Sequence, residues 1–197
     1  MKSTNLYKTH KIKKTTIISK ILISITITIL LLLLAIYILK TFVYPLKHFD
    51  IITKEAAKNN LDPYLVISII KTESSFNKYA TSNKQAKGLM QIMDSTASDV
   101  NEKLETKLDE SDIYNENVNI ALGCNYFSSL VNKYNGNIYL AICAYNAGMG
   151  NVDKWIEEGI VSKDLNKYKD IDIPFSQTKN YLYKVITTYK TYRFLYK

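Results

Sequence analysis

The longest feature of the hydropathy pattern is a run of nineteen uncharged residues at 21–39, ILISITITILLLLLAIYIL. A helix of ~20 such residues spans the hydrocarbon core of a bilayer. Ser24, Thr26 and Thr28 fit within it because a hydroxyl bonds back to its own helix backbone. A cleaved signal peptide is the competing reading. Its apolar region would be ~7–15 residues long and close on a small-x-small site, whereas this run continues into Lys40-Thr41-Phe42-Val43-Tyr44 without one. The pattern predicts an uncleaved anchor over residues 21–43, with Pro45 marking a short linker.

Beyond the linker, apolar residues recur at spacings of three and four, so the chain reads as mainly α. Phe49, Ile52 and Ala56 form one face of a first helix that ends near Asn59-Asn60. Asp62-Pro63 is a start signal, an N-cap followed by proline in the first turn. The stretch it opens, Tyr64-Leu65-Val66-Ile67-Ser68-Ile69-Ile70, is apolar nearly all round, as a helix buried in a domain core is. Its β-branched content also suits a strand; length to Ser74 and the capped start favour helix. Further helices are expected over about 89–100, 117–133 and 152–157, with the segment 138–146 between the last two. Ser176 is read as the cap of a last one carrying Tyr181, Val185, Tyr189 and Tyr192.

Charge changes the picture at the N-terminus. The formal charge of +8 suggests a nucleic-acid partner, but residues 1–40 hold seven Lys and no Asp or Glu, leaving 19 basic and 18 acidic residues from Thr41 onward. The excess therefore belongs to the tail before the apolar run, and no basic face for nucleic acid remains. Six Lys unopposed before the run orient it with residues 1–20 in the cytoplasm and residues 44–197 outside, a single pass. About 150 residues make one domain. Cys124 and Cys143 are too few for a disulfide framework and match no metal spacing; two buried thiols, or one bridge, are both open. No metal site and no cofactor is expected.

Glu73 is the residue whose position invites chemistry. It closes the apolar helix, where burial and the negative end of the helix dipole both disfavour its carboxylate. A raised pKa would keep it protonated near neutral pH, ready to give a proton to a leaving oxygen. On position alone, an exposed Glu at a frayed helix end explains it as well.

The surrounding residues carry more. Glu73-Ser74-Ser75-Phe76-Asn77 is followed by Ser82 nine residues after the Glu, and by Gly88-Leu89-Met90-Gln91, whose Gln lies eighteen after it. Asn119-Ile120 with Gly123 and Tyr126 comes next, then Ala144-Tyr145-Asn146-Ala147-Gly148, and last Ile173-Pro174-Phe175-Ser176-Gln177-Thr178 leading to Tyr181. Three ordered blocks of this kind resemble the slt-type lytic transglycosylases, a family with a lysozyme-like fold and goose-type lysozymes among its relatives. Departures are Gln85 for a usual Gly, Asp94 and Met149 for Pro, Gln177 for Glu and Lys179 for Arg, the last of which loosens a bidentate contact.

The resemblance implies a peptidoglycan substrate and a single catalytic carboxylate, Glu73, where ordinary glycosidases use two. It implies that Ser82 and Gln91 hydrogen-bond the sugars or Glu73, that Met93 lines the glycan groove, that Tyr145 and Asn146 flank Glu73, and that Tyr181 faces the groove from the last helix. Core packing is the plain alternative for Met93 and Tyr181. The expected reaction cleaves the bond between N-acetylmuramic acid and N-acetylglucosamine and leaves 1,6-anhydro ends. A lysozyme-type hydrolase and a catalytically idle wall-binding scaffold are the alternatives. Partners are glycan strands, the membrane through residues 21–43, and room for a membrane-bound wall-remodelling or secretion complex.

Overall fold

The computed structural model describes residues 2–104, 107, 109, 112–163 and 173–197, with side chains from residue 17 onward. The chain divides into two compact units, Met1–Pro45 and Leu46–Lys197.

The first unit is one helix, α1 (Lys2–Ile38), ending in a π-helical turn, Leu39–Val43. Its segment Ile17–Val43 is 27 residues long, with no side chain buried. Thr26 and Thr28 donate to the carbonyls of Leu22 and Ser24, each at 2.9 Å, so their hydroxyls are satisfied within the helix.

The second unit holds α2 (Phe49–Lys58), α3 (Pro63–Ser74), α4 (Asp94–Lys103), α5 (Glu116–Lys133), α6 (Ile138–Ala147), α7 (Met149–Glu157) and α8 (Ser176–Tyr196). The described residues contain no named strand, only two isolated antiparallel bridges, Thr81 with Lys87 and Lys87 with Ile92. α3 is the central element. Asp62 caps it by accepting from the Tyr64 N–H at 2.8 Å. Leu65 to Ile70 are all buried, and the one polar side chain among them, Ser68, donates to the Tyr64 carbonyl at 2.6 Å. α3 packs along α8 and against α2; α6 packs on α5, α7 and α8. An apolar helix covered on all sides is the arrangement its sequence calls for.

Two expected boundaries move. The helix expected over 89–100 starts only at Asp94. Residues 88–92 form a turn instead, with Gly88 at φ +76° and Gln91 at φ +51°. The apolar spacing misleads here because Leu89, Met90 and Ile92 are buried by the turn itself. The turn is held from α5: Asn119 accepts from the Met90 N–H at 2.7 Å and donates to the Lys87 and Ile113 carbonyls at 3.0 and 2.9 Å. The second correction is Ser176. It is the first helical residue rather than the cap; Phe175 occupies the cap position and makes no side-chain bond.

Gly88 and Gly123 are dictated by close approach. A Cβ on Gly88 would lie 2.2 Å from Asn119 Nδ2, and one on Gly123 would lie 2.3 Å from Met90 Sδ. Gln85, where the resembling family favours Gly, has φ +63°, a left-handed conformation that costs a non-glycine residue about 1 kcal/mol.

Candidate active site

Glu73 lies in the last turn of α3, one residue before the helix ends at Ser74. Ser75 and Phe76 follow at φ +52° and +67°, so the chain turns sharply away and leaves the carboxylate at the helix end. Its partner comes from the far end of the sequence. Tyr181, on α8, donates its hydroxyl to Glu73 Oε1 at 2.6 Å. The pairing follows from the packing of α3 along α8, which sets residues 108 apart side by side.

The electrostatics favour a protonated acid. Burial raises the pKa of Glu73 to about 7, against the Tyr181 hydrogen bond and the charge of Lys184, which both pull it down. Burial dominates because desolvation penalises the ionised form more than one neutral donor and one exposed cation stabilise it. Tyr181 itself is pushed well above the usual tyrosine value, first by burial and then by the Glu73 charge, so it acts here as a neutral donor.

The remaining expected polar residues bond within the 80–92 loop or between α6, that loop and α8. Tyr145, on α6, has its ring 5.4 Å from that of Tyr126 and edge-on to Phe127 at 5.9 Å. Its hydroxyl donates to the Met90 carbonyl at 2.8 Å, tying α6 to the 88–92 turn. It also feels the Glu73 charge, which together with stronger burial raises its pKa. Asn146 accepts from Thr178 Oγ1 at 2.8 Å, linking α6 to α8. Gln91 spends its amide nitrogen on the Ala80 and Gly88 carbonyls, at 3.0 and 2.9 Å. Ser82 Oγ accepts from the Ala86 N–H at 3.1 Å. Met93 is 44% exposed. Gln91 and Ser82 thus shape the 80–92 loop, and neither bonds Glu73 directly among the described residues.

Three residues outside the expected set matter. Asn119 organises the turn beneath Tyr145, Thr178 holds Asn146, and Lys184 acts on Glu73. Asn119 and Thr178 stand in the sequence blocks quoted above, which was the available signal; Lys184 has none. A separate open cleft of about 1140 Å³ lies among Lys133, Tyr134, Asn137, Tyr139, Asp153 and Glu157 and shares no residue with the Glu73 cluster. Its Asp153 is occupied by Tyr134 and Lys133, both at 3.0 Å. The two thiols are free and buried, and burial pushes each up to about 12.

Residues 50–170 match the model of the transglycosylase SLT domain. The chain is similar to membrane-bound lytic murein transglycosylase C of Edwardsiella ictaluri, at 32% identity over 167 residues covering 75% of this chain and 46% of that one. It is similar to the protein of the same name from Yersinia pestis, at 34% identity, covering 75% and 47%. The chain spans about half the length of these curated relatives. Among solved structures it resembles an inactive mutant of lytic transglycosylase Slt from Pseudomonas aeruginosa, with a TM-score of 0.66 and 32% identity over 75% of this chain and 24% of that one. It also resembles the 70 kDa soluble lytic transglycosylase of Escherichia coli, with a TM-score of 0.67 and 26% identity over 76% and 24%. The matched segment contains Glu73, Gln91 and Tyr145 together with the turn and helices that hold them. The chain belongs to the transglycosylase SLT domain family and has its lysozyme-like helical fold.

Proposed function

We propose that this protein is a membrane-anchored peptidoglycan lytic transglycosylase, with a basic cytoplasmic tail at 1–20, a single-pass anchor at 21–43 and an extracellular catalytic domain at 44–197. The observation that carries the reading is the Tyr181–Glu73 hydrogen bond about a carboxyl whose pKa is raised to about 7. Such a group is half protonated at neutral pH and serves as acid and then as base.

The reaction divides into two proton transfers at one atom pair. Glu73 gives its proton to the oxygen joining N-acetylmuramic acid to N-acetylglucosamine. The bond from that oxygen to the anomeric carbon breaks, and the N-acetylglucosamine portion leaves with a hydroxyl. Positive charge develops at the anomeric carbon, where the ionised Glu73 and the substrate's N-acetyl group stabilise it. Glu73 then takes the proton of the muramic acid 6-hydroxyl as O6 closes on the anomeric carbon. The carboxyl is restored, a 1,6-anhydro end forms and no water is consumed. Tyr181 holds the carboxylate in line during both steps. Ser82, Gln91, Met93, Tyr145 and Asn146 are assigned to sugar binding or to shaping the groove that receives it.

Mass spectrometry of products from purified wall separates this reading from a hydrolase: 1,6-anhydromuramic ends support it, and reducing muramic ends alone overturn it. A protein that binds wall and releases no fragments would be a scaffold. Protease added to intact wall-stripped cells should remove the catalytic domain and spare the tail.

A further inference from the structure

The end of α8 carries a charge pattern unlike the rest of the domain. Residues 173–197 hold five cations and no Asp or Glu, whereas residues 41–172 hold 14 cations and 18 acids. Four exposed side chains there, Lys190, Arg193, Phe194 and Lys197, recur at spacings of three and four and so share one stripe. Among the described residues Phe194 is the most exposed large apolar side chain, at 86%. A frayed helix end does not account for it. On the opposite face Tyr192 is fully buried, and Tyr64 donates its hydroxyl to the Tyr196 carbonyl at 3.1 Å, tying the last turn to α3. The Arg193 guanidinium stands 5.7 Å from the centre of the Tyr189 ring, and the Tyr189 hydroxyl donates to Asp62 at 2.8 Å. These contacts pin the inner face and hold Phe194 outward. Cations in a last helical turn suit the helix dipole, but the dipole gives no reason for a bare phenyl ring among them.

We propose that the stripe of Arg193, Phe194 and Lys197 docks the domain on an anionic lipid surface. The occupant follows from the two chemistries of the stripe. A bilayer interface offers phosphate charge to the cations and, just beneath it, hydrocarbon to the ring. An acidic polymer in water offers the first and not the second. The long Arg and Lys side chains keep their charges at headgroup level while the ring between them enters the acyl boundary. The inference rests on the proposed anchor, which keeps the domain beside lipid at a high effective concentration. A contact of three side chains binds a free protein weakly, but it orients a tethered one.

The test places a fluorescent reporter on the stripe of the full chain, by Phe194→Trp. The natural Trp155 is buried, and the parent chain measures its share of the signal. Both chains are reconstituted into vesicles whose lipids carry brominated, quenching acyl chains. The vesicles are phosphatidylcholine alone or an equal mixture with phosphatidylglycerol. Quenching of the reporter, less that of the parent, should be roughly two-fold or more stronger in the mixture and should weaken with salt, as interfacial charge contacts do. Adding Arg193→Gln and Lys197→Gln should remove most of the difference, with the same melting temperature and the same flotation with vesicles. A chain that floats while its reporter is quenched in neither vesicle would overturn the docking surface and leave the anchor reading intact. Equal quenching in the two vesicles, or quenching that survives the double substitution, would overturn recognition of lipid charge. A reporter whose emission shifts with soluble poly(glycerol phosphate) in neutral detergent, and not with vesicles, would assign the face to an acidic wall polymer and overturn the lipid surface. A chain that floats with neither vesicle would overturn the anchor reading and this inference with it.

Discussion

Two helices in this chain are apolar nearly all round, and they meet opposite fates. Ile17–Val43 exposes every large apolar side chain, and α3 buries every side chain from Leu65 to Ile70. Neither has a wet face, so neither is stable bare in water. Length decides what covers each. At 1.5 Å per residue, 27 residues reach ~40 Å, enough for a bilayer core of ~30 Å, while the twelve residues of α3 reach ~18 Å. On the proposed reading lipid covers the long helix; the short one is wrapped by α2 and α8. The comparison also bears on the proposed chemistry. The long helix has no charged side chain between Lys20 and Lys40. The short one carries Glu73 in its last turn, and burial raises that acid's pKa.

The sharpest way to break the comparison is to place the same charge in each helix. Ile69→Asp puts an unpaired carboxyl in a fully buried position and should cost several kcal/mol, enough to unfold the domain. Ile29→Asp should leave the domain's melting temperature unchanged and weaken membrane insertion by ~2.5–3.5 kcal/mol. Calorimetry and membrane flotation read the two effects; a domain that melts normally with Ile69→Asp would refute the buried role of α3.

A smaller effect comes from Glu73 itself. Its pKa is raised from 4.5 to about 7, so the folded state holds a proton that the unfolded state releases. Its share of stability is fully present below pH 4.5 and is lost as pH rises to about 7. Glu73→Gln should therefore gain on the wild type, by on the order of 1–3 kcal/mol, between pH 4 and pH 8. Urea unfolding at the two pH values measures it, and a constant difference would mean an ordinary pKa.

Smaller again is Tyr181→Phe. The lost hydrogen bond lowers the Glu73 pKa at present, so its removal should move the alkaline fall of the rate–pH profile upward, with a modest loss of rate. A downward shift would mean that Tyr181 favours the protonated acid. The least effect is expected from thiol reagents. Burial pushes Cys124 and Cys143 up to about 12, so iodoacetamide at pH 8 should label neither in the folded protein and both after unfolding.

Much of this was legible in the sequence, for reasons that differ by element. The helices around Ile52 and Val185 follow from apolar period, and the one around Ile69 from its length and its Asp62-Pro63 start, because each packs on other helices. Residues 88–92 were misjudged because helical spacing and a buried turn make the same pattern when the turn is stitched by a side chain. That side chain, Asn119, bonds the backbone of Lys87, Met90 and Ile113; its sequence block marks the residue but not the groups it holds. Glu73 was visible through its offsets to Ser82 and Gln91. Tyr181 was indicated by its sequence block, but its hydrogen bond to Glu73 depends on how α3 and α8 meet. Lys184 was invisible for the same reason: its influence is a matter of packing across 111 residues of chain.

The central claim is that the acid ending α3 is the proton donor and acceptor of the reaction. Turnover of purified wall by wild type and by Glu73→Gln, each checked for intact folding, tests it most directly. The account predicts a folded variant whose cutting rate falls by the upper part of ~10²–10⁴ or more, since one group serves both proton transfers. It also predicts a wild-type rate that declines as pH rises through about 7. A folded Glu73→Gln variant that cuts at near-normal rate would place the acid elsewhere and contradict it.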